Sequence, residues 1–424
     1  MHSFFYNASE LLQQAEENRH RLLVTVSGEY QWAEKTTEQL LNLWHADALW
    51  VSDKTLDNRH CIDFNTSRRW LGRELNYLVF DAHSSFDPNV FSLLCGTVKA
   101  GGALLLLTPP LRHWQYHPDP VNKRCSVWNA EVLRSRYLDR LSRLIPAHSQ
   151  LLLQQSGKHA RRTNSSELSE SNGDREQQNV VQAIAQDFKN STRPQLHVIS
   201  GDRGRGKSSA LGRLAARLIE GGAQRVLLTA PRKAAVDLVL KHAELDTVDQ
   251  KSLREKLVFV APDRLVLEPL PCDVLLVDEM GGIHLGLLKR LLQHYTNTVL
   301  AGTVHGYEGA GRGFHTRFKK MLDQRYSHCQ WHRLEHPMRW GPSDPLEHSS
   351  NALMMLDAEA PTPAQGETTV HFLNRDQLSL DEPLLRQIHG LLAAAHYRTR
   401  PLDLRQMLDG PNIQIAVSKI ADTV

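Results

Sequence analysis

Eight residues of this chain, 201–208 with the sequence GDRGRGKS, match every fixed position of the pattern G-x-x-x-x-G-K-S/T, which binds the phosphates of nucleotides. Glycines let the backbone bend so that successive amide N–H groups and the N-terminus of the following helix point at one anion. Lys207 is then predicted to contact the β- and γ-phosphates, and the Ser208 hydroxyl to bind Mg²⁺. The spacing therefore predicts a nucleoside triphosphatase.

A second chemical signal is an acidic pair that follows an apolar run. Residues 274–277 (VLLV) predict a buried strand, and Asp278 and Glu279 follow at its carboxyl end, where ligands bind in open α/β sheets. Asp278 is predicted to engage Mg²⁺ directly or through water, and Glu279 to polarise the attacking water. A buried strand that ends in a solvated acidic pair is the alternative, and the phosphate loop upstream favours the catalytic interpretation.

A glycine-rich stretch follows another apolar run at 297–301. Thr303 occupies a position from which a side chain could sense the γ-phosphate. The five glycines between 302 and 313 suit a loop that approaches a ligand closely, and they suit a flexible surface loop equally well.

These residues need a sheet to hold them. A strand-like run precedes the phosphate loop at 196–200, a helix with an apolar stripe follows at 209–220, and further strand-and-helix units follow. Such alternation predicts a parallel sheet wrapped by helices. We expect the triphosphate and its Mg²⁺ to lie between Lys207–Ser208 and Asp278 at the end of the neighbouring strand.

The N-terminal part repeats this α/β pattern without a phosphate loop, with strand-like runs at 22–26, 48–51, 77–81 and 103–107. Asp81-Ala82-His83 ends one of these runs. No nucleophile or metal-ligand spacing accompanies it, so a structural turn or partner surface is favoured over catalysis. We predict an α/β domain at 1–150 and, from its polar composition, a flexible linker at 151–175.

Composition narrows the class of protein. A chain of 424 residues with 41% hydrophobic and 23% charged residues is typical of a soluble protein with two to four domains. The five cysteines are scattered without C-x-x-C pairs, which argues against a disulfide framework or a zinc site. The N-terminus lacks the features of a signal peptide, and the apolar run at 103–107 is too short to span a bilayer. These features predict a cytoplasmic protein.

The net charge of +3 is too small to indicate nucleic-acid binding by itself. Local clusters of basic residues would contact phosphates if they shared a face, and they could equally be solvated. They are Arg161 with Arg162, Arg203 with Arg205, Arg312 with Arg317, Lys319 and Lys320, and Arg398 with Arg400 and Arg405.

Five segments carry more specific motifs: LVFDAH (78–83) with GGALLLLTPP (101–110), GDRGRGKS (201–208), VDE (277–279), HGYEGAGRGF (305–314) and HPMRW (336–340). Together they resemble the bacterial tRNA(Met) cytidine acetyltransferase family, which shares its architecture with the eukaryotic RNA cytidine acetyltransferases. The last two segments are the most discriminating, and the resemblance covers nearly the whole chain.

The resemblance implies a helicase-like, RecA-like ATPase domain at 176–355 and, at 375–424, the incomplete start of a GNAT-type acetyltransferase domain. The implied reaction is acetyl transfer from acetyl-CoA to N4 of the wobble cytidine of elongator tRNA(Met), assisted by ATP or GTP hydrolysis. The glycine-rich turn that binds acetyl-CoA in such domains is not among these residues. Acetyl transfer is therefore not expected from this chain alone, which is either a fragment or a shortened relative.

The resemblance also implies roles for individual residues. Gln177 matches a glutamine on the adenine side of the nucleotide, and Arg339 matches an arginine that approaches it. Arg312 is the reserve candidate for this arginine role, because a planar guanidinium suits a transferring phosphate. The implied nucleotide contacts of the loop are Gly201, Asp202, Arg203, Gly204, Arg205, Gly206, Lys207, Ser208, Ser209 and Ala210.

Two other functions stay open at this point. A stand-alone nucleic-acid translocase would need a second RecA-like lobe, and the stretch of about 60 residues between Phe314 and the acetyltransferase-like segment is too short for one. A nucleotide-gated RNA-binding module without acetyltransferase activity is the other alternative. The sequence leaves the oligomeric state open.

Overall fold

The computed structural model describes residues 2–54, 60–70, 73–125, 134–157, 159–161, 173–303, 318–322, 324, 326, 329–362, 365–395, 399–420 and 423–424. They pack into two compact units. The first unit contains the described residues up to 161 and from 340 on, and the second contains those between 173 and 339.

The described strands, in chain order, are β1 Leu22–Ser27, β2 Leu49–Val51, β3 Cys61–Ile62, β4 Leu75–Asp81, β5 Val98–Thr108, β6 Leu151–Gln154, β7 Ala160–Arg161, β8 Leu196–Gly201, β9 Val226–Thr229, β10 Leu257–Phe259, β11 Val274–Val277, β12 Thr298–Thr303, β13 Cys329–Leu334, β14 Thr369–Leu373 and β15 Ile415–Lys419.

The helices are α1 His2–Glu17, α2 Tyr30–Leu43, α3 Pro88–Cys95, α4 Leu111–Trp114, α5 Asn122–Cys125, α6 Arg136–His148, α7 Gly173–Asn190, α8 Lys207–Glu220, α9 Lys233–Asp246, α10 Gln250–Lys256, α11 Pro262–Leu267, α12 Leu285–His294, α13 Pro345–Met354, α14 Arg375–Leu378, α15 Glu382–Ala395 and α16 Pro401–Asp409. Short 3₁₀ helices lie at Ser67–Trp70 and Met280–Gly282.

The first unit contains a large sheet in the order β3-β2-β4-β5-β1-β6-β7. Its neighbouring strands are parallel except for the antiparallel pair of β6 and β7. Every residue of β1 is buried, as expected for a strand with both faces covered. The prediction of an N-terminal α/β fold is confirmed.

Three buried arginines join the residues after 340 to the N-terminal part of this unit. Each pairs with a carboxylate from the other part: Arg21 with Asp344, Arg140 with Glu382 and Arg405 with Asp119, at N–O distances of 2.8, 2.5 and 2.8 Å. Removing one partner of such a pair leaves a buried charge uncompensated. The two parts therefore stabilise each other within one unit.

The structure divides the chain differently from the predicted boundaries. The predicted ATPase domain runs to 355, but the second unit ends at Arg339, and residues 375–424 that are described pack within the first unit. Leu151–Gln154, predicted as the start of the linker, is a buried strand that pairs with β1. Residues 162–172 of the predicted linker lie outside the described residues. Local composition missed these features because the stabilising partners lie far away in the sequence.

The second unit contains a sheet in the order β10-β9-β11-β12-β8-β13, parallel throughout. Adjacent residues of each central strand face opposite sides: Leu228 and Leu276 pack with the apolar faces of α8 and α9, whereas Leu227 and Leu275 pack with α12. Helices thus cover both faces of this sheet, as the sequence predicts.

Candidate nucleotide-binding site

The phosphate loop lies between β8 and α8, in the strand–loop–helix order that the sequence predicts. Gly204 and Gly206 have φ values of 78° and 83°, in the left-handed region that favours glycine. A Cβ atom at Gly206 would lie only 2.4 Å from Nε2 of Gln177. Position 206 therefore needs glycine, both for the backbone conformation of the loop and for the close approach of the Gln177 side chain.

Lys207 is the first residue of α8, and its side chain folds back over the loop. Its Nζ donates hydrogen bonds to the carbonyl oxygens of Gly201, at 2.9 Å, and Asp202, at 2.8 Å. These bonds hold the ammonium charge beside the backbone that is predicted to surround the phosphates. The N-terminus of α8 adds a partial positive charge at the same place.

Gln177 lies on α7 and supports the loop. Its buried side chain donates from Nε2 to the carbonyl of Gly206, at 2.7 Å, and its Oε1 accepts a bond of 3.4 Å from the hydroxyl of Ser209. The resemblance placed Gln177 on the adenine side, whereas the structure places its amide against the loop. The implied contact with a base stays a prediction.

The strand that ends in Asp278 is not the neighbour of the phosphate-loop strand, contrary to expectation. β12 lies between β8 and β11, and the register pairs Thr303 with Gly201 and Leu300 with Val277. Because these strands are parallel, their carboxyl ends share one edge of the sheet. This edge therefore brings together the phosphate loop, Thr303 and the acidic pair.

The acidic pair has an unusual backbone. Asp278 is buried, its Oδ1 accepts a hydrogen bond of 2.9 Å from the amide of Glu279, and its own amide donates to the carbonyl of Thr229. Glu279 has φ 45° and ψ 47°, a left-handed conformation that costs a non-glycine residue about 1–3 kcal/mol and is found at functional sites. The chain thus bends at Asp278 and Glu279, directly after the buried strand.

The segment 335–338 also contacts the loop. The amide of Met338 donates to the carbonyl of Gly204 at 2.8 Å. Upstream, the carboxylate of Glu176 accepts hydrogen bonds from the amides of Glu335 and His336. No sequence motif marks Glu176, although it precedes Gln177 in the same helix.

Arg339 directly follows this segment. It lies near enough to α9 for its charge to act on His242, whose pKa is lowered by burial first and then by Arg213, Lys241 and Arg339. The structure therefore places Arg339 in the same unit as the loop. Arg312 and the rest of the segment 305–314 lie outside the described residues.

Ser208 and Asp278, the predicted Mg²⁺ ligands, offer a hydroxyl and a carboxylate oxygen. Such oxygen ligands suit Mg²⁺, which keeps several waters and commonly takes phosphate oxygens as further ligands. Among the residues that the structure describes, no group of three or more His, Cys, Asp or Glu side chains could form an all-protein metal site. The donor set thus fits a metal held jointly by protein and nucleotide.

Comparisons with known proteins identify the family. Residues 1–156 match the model of the tRNA(Met) cytidine acetyltransferase TmcA N-terminal domain, and residues 198–357 match that of the RNA cytidine acetyltransferase NAT10/TcmA helicase domain. Proteins named tRNA(Met) cytidine acetyltransferase TmcA from Nitrosococcus halophilus, Citrobacter koseri and Vibrio cholerae are 37%, 33% and 30% identical over 97%, 94% and 96% of this chain. This chain belongs to the TmcA family.

The TmcA-family chain spans 59%, 57% and 56% of the length of these three relatives. The N-terminal match ends just after β6, consistent with the place of this strand in the first sheet. The helicase match includes the phosphate loop, Asp278, Glu279 and Arg339.

A comparison with solved structures adds little to this assignment. The flagellar accessory protein FlaH from Methanocaldococcus jannaschii matches 26% of this chain and 62% of its own, at 16% identity and a TM-score of 0.21, a similarity too weak to bear on the fold. No helix within the described part of the TmcA-family chain is long and apolar enough to cross a membrane.

Proposed function

We propose that this chain supplies the N-terminal unit and the nucleoside triphosphatase unit of an enzyme that acetylates tRNA(Met). The observation that carries the proposal is the shared sheet edge, which brings the phosphate loop and the acidic pair together within a chain of the TmcA family. A phosphate loop with a carboxylate on the same edge of a parallel sheet is the arrangement that P-loop nucleoside triphosphatases use for phosphoryl transfer.

The candidate residues have distinct roles in hydrolysis. The loop amides and Lys207 bind the phosphates of ATP or GTP, and Ser208 and Asp278 hold Mg²⁺, which neutralises charge on the phosphate oxygens. Glu279 orients the attacking water and accepts its proton. Arg339, with Arg312 as the reserve, stabilises the negative charge of the transferring phosphate.

The acetylation step is proposed for the enzyme as a whole. Its substrates are acetyl-CoA and N4 of the wobble cytidine of elongator tRNA(Met), and its place of action is the cytoplasm. The relatives support this proposal over a stand-alone translocase or an RNA-binding module. They are named tRNA(Met) cytidine acetyltransferases, and their similarity extends over nearly the whole of this chain.

Nucleotide hydrolysis by this chain, measured with and without elongator tRNA(Met), tests the proposal. We expect Mg²⁺-dependent hydrolysis that the tRNA stimulates and that the Lys207→Ala variant lacks. Hydrolysis that tRNA leaves unchanged would contradict the coupling to RNA. Acetyl transfer is tested with the full-length gene product, and a product without N4-acetylcytidine would contradict the assigned reaction.

A further inference from the structure

The first turn of α7 and the residues after β13 hold each other through one carboxylate. Glu176 accepts hydrogen bonds from the amide of Glu335, at 3.1 Å to each oxygen, and from the amide of His336, at 3.0 Å. The ring Nδ1 of His336 lies 3.2 Å from the same carboxylate. Hydrogen bonds to an ionised acceptor are among the strong ones, so this contact fixes the chain at the point where it leaves the sheet.

The same segment then reaches the phosphate loop. Met338 donates its amide to the carbonyl of Gly204, and a Cβ atom at Gly206 would lie 2.8 Å from Cγ of Met338. A Cβ atom at Gly173 would lie 2.9 Å from the carbonyl of Pro337. Residues 337–338 are therefore packed closely between the start of α7 and the loop.

Two adjacent residues of α7 bond to the phosphate loop and to the segment 335–338, respectively. Gln177 bonds to Gly206 of the loop, and Glu176 bonds to the segment that leads to Arg339. The path of this segment is fixed at Glu176 and again at Gly204, and Arg339 follows directly. A shift of these residues would therefore move Arg339 relative to the loop.

We propose that Glu176 is a positioning residue for nucleotide hydrolysis: its carboxylate holds residues 335–338 against the phosphate loop and so orients the guanidinium of Arg339. This inference rests on the proposed triphosphatase function of the second unit. Glu176 bonds to the backbone amides of Glu335 and His336, so it acts through the backbone of the segment.

The Glu176→Gln variant tests this role, because the amide keeps the shape but replaces one acceptor with a donor that faces backbone N–H groups. We expect kcat for ATP hydrolysis to fall by about tenfold or more, since small displacements of catalytic groups carry large costs, while KM and nucleotide affinity change by less than about twofold. The Glu176→Asp variant keeps the charge and should retain an intermediate rate.

Asp174→Asn is the matched control. Asp174 lies in the same first turn of α7, but its side chain is 53% exposed and pairs at the surface with Arg213. The Asp174→Asn substitution, like Glu176→Gln, removes one negative charge from the first turn of α7, but it leaves the contacts of residues 335–338 in place. The kcat of this variant should therefore equal that of the wild type.

A double-mutant comparison with Arg339→Ala shows whether Glu176 acts through this arginine. If it does, Glu176→Gln lowers kcat in the wild type but not in the Arg339→Ala background. A wild-type rate for Glu176→Gln, additive losses in the double variant, or a parallel loss of affinity and thermal stability would each overturn the proposal. Failure of the triphosphatase function itself would appear separately, as hydrolysis that Lys207→Ala leaves unchanged.

Discussion

In each of the two large sheets, an apolar strand leads to an aspartate at its carboxyl end, but the surroundings of the two aspartates differ. Asp81 at the end of β4 is fully buried and accepts hydrogen bonds from the hydroxyls of Ser52 and Ser84 and from the amide of His83. Asp278 at the end of β11 accepts a bond from the next amide and shares its sheet edge with a phosphate loop.

The difference shows that the strand-end aspartate alone does not specify chemistry. Burial raises the pKa of Asp81, but hydrogen bonds from His83 and Ser52 outweigh burial, so its pKa lies below the usual value. Its oxygens are engaged by side chains and backbone of its own unit, which indicates a structural turn. The glycine-rich loop at the same edge is what makes Asp278 a candidate ligand.

The largest expected effect is that of Lys207→Ala. Removing the ammonium that bridges the loop should lower nucleotide affinity and reduce hydrolysis by at least about 100-fold, because this charge acts directly on the phosphates. Steady-state hydrolysis and equilibrium binding of ATP measure the two effects. Unaltered turnover would contradict the proposal that the carboxyl edge of the second sheet, unlike that of the first, binds and hydrolyses nucleotide.

Glu279→Gln separates binding from hydrolysis. We expect the variant to bind ATP as the wild type does and to lose about 100-fold or more in kcat, because a general base that orients water contributes on this scale. Single-turnover hydrolysis together with nucleotide affinity measures the split. Equal turnover by variant and wild type would remove the proposed role of Glu279.

Asp81→Asn tests the structural half of the comparison. The change replaces an acceptor of three hydrogen bonds in a buried turn, so the free energy of unfolding should fall by about 1–3 kcal/mol. ATP hydrolysis should stay at the wild-type level, whereas Asp278→Asn should reduce it. A loss of hydrolysis in a folded Asp81→Asn protein would show that the first edge also takes part in the chemistry.

The smallest expected effect is a pH dependence of the second unit. His197 on β8 packs beside His332, and burial first and then His332 lower its pKa from 6.5 to about 4. As the pH falls, His197 takes up a proton in the unfolded state before it does so in the folded state. The stability that comes from keeping His197 neutral in the folded state is therefore fully present above pH 6.5 and is lost as the pH falls toward 4.

Thermal unfolding at neutral and mildly acidic pH measures this contribution. The midpoint of the second unit should fall by a few degrees on acidification, and less in His197→Gln, whose amide can keep a bond to His332. The same decrease in wild type and variant would assign the pH dependence to other groups.

The sequence predicted what depends on local pattern. The phosphate loop, the acidic pair and the α/β fold of both units follow from motifs and apolar runs within about 15 residues. The position of β12 between β8 and β11 did not follow, because strand order depends on which strands pair. The contacts of Glu176 and of the buried arginines join residues that are far apart in the sequence, and no short pattern marks them.

A crystal structure of this chain with Mg²⁺ and a non-hydrolysable ATP analogue tests the central claim most directly. We predict that the triphosphate binds to the loop of Gly201–Ser208, that Mg²⁺ lies between Ser208 and Asp278, and that the carboxyl edge of the first sheet binds no nucleotide. A nucleotide bound elsewhere, or a metal remote from Asp278, would contradict the account.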